Sequence, residues 1–294
     1  SLLPTRQRSI ETGNFLIEPA GFEKLKKDVD VKVPEAREID RAIEDLQPIP
    51  QIALKILRMI HAGQYEIKNV TEEIQKDQVI SARTLQLCNS VIFARRKKIE
   101  SLDHALVMLG QHLLLKLVIS ASLNRFFNQI GMGYSLCKGG IYHHALGTAF
   151  MAEKFATLTG RTAPSLAYTA GLLHDIGTLP ILYRAEECDE LLDTPELLDK
   201  LIARLHTRIG GAILKHWKFP DALVDVAAEH EDLNRSHDGP ADLVDIVQVA
   251  NLQSQLDNNH VLSQTDWTRI SSFHRLGLDV DVHEIELTDV AEEI

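Results

Sequence analysis

Three features of the sequence predict an all-α fold. Apolar residues recur at three- and four-residue steps from Ile39 onward, Ser, Asn, Pro and Gly fall where helix ends need them, and no convincing alternation of apolar and polar residues appears. Residues 1 to about 40 mix Pro4, Gly13, Pro19, Gly21 and Pro34 with charges, which predicts a lead segment holding one helix around Phe22 to Lys27. Pro48 and Pro50 mark the entry to a helix carrying Ile52, Ile56, Leu57 and Ile60. Asn69 with Glu72 offers a capping pair for the helix of Ile74, and Ser81 is read as opening the next, with Leu85 and Cys88 inside it. Ser101 precedes Leu102, Ala105, Leu106 and Leu109, with Gly110 as the expected stop.

A second helical set follows. Ile141 to Leu158 ends at Gly160, and Ser165 to Ile176, started by Pro164, ends at Gly177 with Pro180 behind it. Helices near Leu191 to Lys218, Asp221 to Glu231 and Ala241 to Leu256 are separated by Pro220 and by Gly239-Pro240. The expected organisation is a lead segment at 1–40, helical lobes at 41–130 and 131–260, and a C-terminal helix and tail at 261–294. From Asp279 that tail holds seven acidic residues and no Lys or Arg, the pattern of a solvated extension.

Composition narrows the function classes. The 294 residues are 45% hydrophobic and 25% charged, the balance of a folded globular chain rather than a disordered or fibrous one. A net charge of −11 disfavours direct nucleic-acid binding, which rests on neutralising phosphates, and the run Arg95, Arg96, Lys97, Lys98 reads as a solvated loop. Cys88, Cys137 and Cys188 are too dispersed for a disulfide framework or a paired-thiol metal site. No apolar run reaches the roughly 18 to 20 residues that cross a bilayer, and no charged-then-apolar leader opens the chain. A cytoplasmic protein without membrane contact is expected, although Ser1 in place of Met leaves room for an upstream domain.

The chain has 13 histidines, and four fall where core residues belong. His174 and Asp175 interrupt an apolar stretch, Ala170-Gly171-Leu172-Leu173 before them and Ile176-Gly177 after. His230 completes the stripe Leu223, Val226, Ala227, His230, an i, i+3, i+4, i+7 face turned to the core. His206 lies four residues after Ile202, with Gly210 and Gly211 a turn away allowing close approach; His144 lies three after Ile141 and four before Thr148. Burying such groups without partners costs roughly 2 to 7 kcal/mol each. Any one could be satisfied by a carbonyl or water, but four imidazoles with a carboxylate form the donor set of a first-row divalent transition metal, Fe, Mn or Zn. His174 and Asp175 point about 100° apart on a helix, so both reach one ion only near its end, where Gly177 places it. The other histidines, His143 and His216 among them, show no such grouping. The chain lacks GxSxG, GxGxxG and GxxxxGK[ST], so nucleophile elbows and phosphate loops have no local signal.

His144, the pair His174-Asp175, His206 and His230, in this order on successive helices, resemble the HD superfamily of metal-dependent phosphohydrolases. Three preceding stretches resemble the HDOD (HD-related output domain) family: Leu46-Gln-Pro-Ile-Pro-Gln-Ile-Ala-Leu-Lys-Ile-Leu57, then Ile74-Gln-Lys-Asp-Gln-Val-Ile-Ser-Ala-Arg-Thr-Leu-Gln-Leu-Cys-Asn-Ser90, then Ser101-Leu-Asp-His-Ala-Leu-Val-Met-Leu-Gly110. The resemblance implies His144 as the first HD ligand, His174 and Asp175 as the eponymous pair, and His206 and His230 as the further ligands of the two-metal HD-GYP branch. It departs from that branch in four places. Glu231 stands where a second histidine is expected, Asn251 where a final aspartate ligand is expected, and Thr178 where a lysine usually follows His-Asp-Ile-Gly; the GYP segment is absent.

Those departures separate two readings. A neutral amide at 251 weakens one metal position, and losing a cation at 178 removes transition-state stabilisation of phosphate charge. The favoured expectation is an HDOD-type bacterial signalling protein whose partly retained pocket, with His144, His174, Asp175, His206, His230, Glu231 and Asn251 as metal candidates, binds an ion or a nucleotide-like ligand without efficient hydrolysis. The resemblance further implies a signalling partner or an upstream receiver or sensor domain. The alternative is a metal-dependent phosphohydrolase acting on a nucleotide or cyclic nucleotide, with Asp175 and His206 in the catalytic roles.

Overall fold

The computed structural model describes residues 55–56, 58–59, 66–91, 99–127, 135–185, 195–254 and 266–278. Among them there are helices and turns but no strand, so the chain is all-α as its periodicity predicts. In order the helices are α1 (Ile67–Gln75), α2 (Gln78–Val91), α3 (Leu102–Phe127), α4 (Ser135–Thr159), α5 (Pro164–Leu173), α6 (Thr178–Ala185), α7 (Pro195–His216), α8 (Asp221–Glu229), α9 (Leu243–Ser254) and α10 (Ser271–Leu276). A 3₁₀ turn at Trp267–Arg269 precedes the last. The lead segment, the helix expected at Phe22 to Lys27, the Pro48 and Pro50 entry, the Arg95 to Lys98 run and the acidic tail lie outside the described residues.

Several helix ends differ from the expectation, each for a local reason. α1 begins before Asn69, with Glu66 as N-cap and no side-chain capping bond, so Asn69 and Glu72 lie inside the helix. Asp77, not Ser81, opens α2: its Oδ1 accepts from the backbone N–H groups of Val79 (2.9 Å) and Ile80 (3.0 Å). Ser81 instead donates back to the Ile74 carbonyl at 2.8 Å, where it joins the Asp77 N–H (2.9 Å) at the end of α1. Ser101 does cap, its Oγ accepting from His104 N–H at 3.1 Å. Gly110 kinks α3 rather than ending it: at φ 77° and ψ 169° it breaks the helical path, and helix resumes beyond. Pro180 lies in the first turn of α6, where its missing N–H has no intrahelical partner to lose, so it does not act as a stop.

One contiguous core runs from Ile56 to Leu276 and includes fully buried Ile74, Ile80, Leu114, Phe155, Tyr168, Leu172 and Phe273. Each such side chain contributes roughly 1.5 to 3 kcal/mol of burial. α2 packs on α3, and α3 meets α4 and α5, which lie against each other. The junction with α3 is partly polar: the hydroxyls of Ser120 and Tyr168 are 2.9 Å apart, and Lys116 Nζ reaches Glu153 Oε2 at 2.6 Å while lying over the rings of Phe150 and Tyr168.

α5 is the inner helix of the second half, buried at every position from Ala167 to Leu173 and in contact with α3, α4, α8 and α9. Small side chains permit this, because a Cβ at Gly171 would lie 2.6 Å from Ala149 Cα. Past Leu173 the chain makes a turn through His174–Gly177 before α6 begins. Gly177 is pressed onto α7: a Cβ there would overlap the His206 carbonyl oxygen and lie 2.5 Å from Gly210 N. This backbone contact brings the turn against the helix of His206. G177A should therefore lower stability by about 3 kcal/mol, the upper part of the overpacking range, because the obstruction is backbone and cannot rotate away. Urea unfolding measures it, and a loss below about 0.5 kcal/mol would mean that the contact is looser than described.

Candidate metal centre

Asp175 occupies the turn after α5, and four imidazoles from four separate positions surround its carboxylate. His144 comes from α4, His174 from the residue capping α5, His206 from α7 and His230 from the residue capping α8. His206 Nε2 and His230 Nε2 lie 3.4 and 3.2 Å from Asp175 Oδ1. His174 Nε2 and His144 Nε2 lie 3.4 and 3.5 Å from Oδ2. The two oxygens thus divide the ligands into two triads, Asp175-His206-His230 and His144-His174-Asp175. Glu231 joins the first, with Oε1 3.7 Å from His206 Nε2. Asn251 on α9 joins the second through a side-chain hydrogen bond to His144.

The orientation of each ring is set locally. His174 Nδ1 lies 2.7 Å from the Gly171 carbonyl, His206 Nδ1 2.8 Å from that of Ile202 and His230 Nδ1 3.0 Å from that of Val226. A carbonyl only accepts, so each Nδ1 carries a proton and each ring turns its Nε2 inward, where a neutral ring offers a lone pair able to ligate. Those Nε2 atoms then face one another, at 3.2 Å between His144 and His174 and 3.3 Å between His206 and His230. Where both rings of a pair are neutral and protonated at Nδ1, two lone pairs so close repel unless a proton or a metal cation lies between them. Ligands on one first-row ion with bonds of about 2.1 Å sit roughly 3.0 to 3.4 Å apart, which matches these separations. The donor set therefore fits one divalent cation at either triad, with Asp175 able to bridge two.

Electrostatics prepares the same state. Burial raises the Asp175 carboxyl, but His174, His230 and His206 outweigh it and hold it well below the usual carboxylate range. Burial drives His174 down to about 3 against the attraction of Asp175, and also lowers His144. For His230 burial is overcome by the hydrogen bond and charge of Asp175, and its pKa rises. Near neutral pH the carboxylate is ionised, while His144 and His174 are neutral and able to ligate. His174 and His230 side chains are 0% exposed, whereas Asp175 retains 19% and His144 15%, so a ligand approaches from the His144 side.

A buried polar network behind the site fixes the turn that carries His230 and Glu231. Gln248 Nε2 donates to the carbonyls of Asp232 at 2.9 Å and His230 at 3.4 Å. Ser272 Oγ lies 2.7 Å from both Gln248 Oε1 and Asp245 Oδ1. Asp245, fully buried, also meets His237 Nε2 at 3.1 Å and Arg275 Nη1 at 3.3 Å. His237, Asp242 and Asp245 form a third cluster of possible ligands, but Arg235 holds Asp242 with a 2.6 Å contact and Arg275 holds Asp245, so the cluster is an ion-pair network.

Of the candidates read from the sequence, His144, His174, Asp175, His206 and His230 meet in the two triads, while Glu231 lies beside His206 and Asn251 beside His144. His206 stands as His230 does, ring-bonded to its own helix and facing Asp175. His143 and His216 are exposed, whereas His237 is half-buried with its Nε2 3.1 Å from Asp245 Oδ2. The sequence reading missed Ser254, whose Oγ is 3.3 Å from His144 Nδ1, and the support from Gln248 and Asp245. Asn251 and Ser254 are three apart on α9, so that spacing was the available signal.

The HDOD domain family model matches residues 46–233. An HDOD domain protein from Geobacter sulfurreducens has a crystal structure that aligns with a TM-score of 0.67 at 25% identity, covering 88% of this chain and 94% of that one. The crystal structure of a Shewanella amazonensis SB2B protein named "Putative metal-dependent phosphohydrolase" aligns at 0.60 and 23% identity, over 83% of this chain and 89% of that one, and shows the shared fold. An uncharacterized protein of Treponema pallidum (strain Nichols) is 24% identical over 227 residues, 74% of this chain; the match spans only 44% of that relative's length.

The Asp245 network has a pH signature. Burial raises the Asp245 carboxyl, but Ser272, the Asp242 backbone, His237 and Arg275 outweigh it, so the folded pKa is lowered. A lowered carboxyl stabilises the fold above the unfolded value of about 3.9, and that stabilisation is lost as pH falls through the folded value. D245N should cost about 3 kcal/mol at pH 7 and should flatten the loss of stability between pH 5 and 3 relative to wild type. Denaturant unfolding at both pH values checks this; an unchanged pH slope would show that Asp245 is not the titrating group.

Proposed function

Because the chain belongs to the HDOD domain family, we propose that it is a signal-transduction module whose HD pocket holds a divalent transition metal and does not turn over phosphoesters efficiently. The observation that carries this reading is the convergence of four inward Nε2 atoms on the two oxygens of one ionised carboxylate. His206, His230 and Asp175 Oδ1, with Glu231 nearby, make the more anionic half and the one to load first. His144, His174 and Asp175 Oδ2 make the second half, which has the neutral amide of Asn251 in place of a carboxylate. A bound ion would supply Lewis acidity toward a phosphate ligand or water.

Two missing charges argue for binding over turnover. Asn251 brings no negative charge to the second half. Thr178, buried at the start of α6 with its N–H bonded to the Asp175 carbonyl at 3.0 Å, brings no cation to offset phosphate charge. A signalling role also draws on where the pocket lies. Tyr142, two residues before His144, donates to the Ser120 carbonyl at 3.3 Å, and Tyr168 on the helix leading to His174 meets the Ser120 hydroxyl. The helices that hold the ion are the ones on which α3 docks, so a change in loading has a direct route to the N-terminal helices and to a protein partner or attached sensor domain there.

Protein purified without a tag or chelator should carry about one ion of Fe, Mn or Zn per chain, lost in D175A, with no hydrolysis across a phosphoester panel supplemented with Mn or Fe. Metal-free protein that binds none of these ions would refute the reading, and turnover abolished by D175A in a folded chain would replace it with the phosphohydrolase. N251D should strengthen the second half by about tenfold or more and move occupancy toward two ions, measured by metal titration. An unchanged second affinity would mean that Asn251 does not serve as a ligand position.

A further inference from the structure

His144 differs from the other three histidines in what holds its outer nitrogen. Those three bond a carbonyl of their own helix, which leaves their tautomer no choice. His144 Nδ1 faces the Ser254 hydroxyl at 3.3 Å, across from α4 on the last turn of α9. A hydroxyl can donate or accept, so the tautomer depends on where the single Ser254 hydrogen goes.

The bonds around Ser254 point to one answer. Ser254 Oγ is 2.8 Å from the Asn251 carbonyl, a pure acceptor and the shortest of its three contacts, so the hydrogen goes there. The remaining positions on Oγ accept, one from the hydroxyl of buried Thr148 at 3.1 Å and the other from His144 Nδ1–H. His144 Nδ1 is then the donor and Nε2 the lone pair, turned toward His174 Nε2 and Asp175 Oδ2. Thr148 lies four residues after His144 on the same helix face, so the ring is held from α4 and α9 at once.

We propose that Ser254, supported by Thr148, is a positioning residue that fixes the His144 tautomer and thereby sets the affinity of the His144-His174-Asp175 half for its ion. This inference rests on the metal-binding reading above and adds what controls the weaker half. That half lacks a carboxylate at Asn251, so it depends more on the aim of its two imidazoles. The other half has both rings tied to helix carbonyls and does not touch Ser254. Metal-ligand orienting groups of this kind typically change affinity by about 10- to 100-fold when removed.

The test uses the full chain with histidine rings labelled with nitrogen-15. In metal-free wild type, proton-to-ring-nitrogen correlation should show His144 protonated at Nδ1. S254A should move its signals toward the Nε2-protonated form or an average of the two, while His174, His206 and His230 stay unchanged; S254T should restore the wild-type pattern. Titration with Mn(II) or Zn(II) should show the second affinity of S254A weakened by about 10- to 100-fold with the first unchanged. Nε2-protonated His144 in wild type, as would follow if the Asn251 side-chain oxygen accepted from Nε2, overturns the inference. So does an S254A protein with unaltered His144 signals and unaltered second affinity. The wild-type spectrum decides even if S254A fails to fold. If wild type binds neither metal, the proposed function falls, while the ring signals still decide whether Ser254 sets the tautomer.

Discussion

A single ionised carboxylate, Asp175, on a turn between two apolar helices is the group around which the second half of the molecule is arranged. An isolated buried charge is prohibitively unfavourable, and four imidazoles from four positions in the chain offset it. A cation would add to that compensation, because His174, His206 and His230, whose Nδ1 protons are taken by carbonyls, offer only an Nε2 lone pair when neutral. The same constraint explains the packing. Gly171 lets α5 lie directly on α4, and Gly177 lets the turn lie directly on α7, so backbone contacts rather than adaptable side chains set the distances within the site.

Most of the ligand geometry is produced one helix at a time. Gly171, Ile202 and Val226 supply carbonyls three or four residues before His174, His206 and His230, a spacing that a helix or its last turn provides without further design. His144 is the exception, facing the Ser254 hydroxyl of α9, which is itself bonded to Thr148 of α4. The half of the site with the weaker charge is therefore also the half whose geometry depends on how two helices sit against each other. The α4 and α5 helices that form this half are also those on which Lys116 and Ser120 of α3 dock.

The polar network of Asp245, Gln248, Ser272, Arg235 and Arg275 is separate in chemistry but continuous in structure. Its charges are paired with guanidinium groups, which makes it an ion-pair network rather than a second set of ligands. Gln248 carries its rigidity to the turn of His230 and Glu231 through two backbone carbonyls. A buried network satisfied at each member specifies one arrangement of the helices that meet there.

By itself the sequence determined the helical class, the four inward histidines and Asp175. Those follow from residue spacing along single helices, and a helix face is a local property. The Asn251 and Thr178 departures were legible through the family resemblance, since the motif assigns each position a charge that these residues lack. Helix ends were less legible: Asp77 outcompeted Ser81 as a cap because Ser81 had a carbonyl of α1 within reach, which no spacing rule reveals. Tertiary structure alone decided which ligands share which oxygen of Asp175, that His237 is tied to Asp245, and that Ser254 stands behind His144. Each of these joins residues from different helices, and the packing that brings them together is set by close approaches such as Gly177 on His206, a sum over contacts that no local pattern encodes.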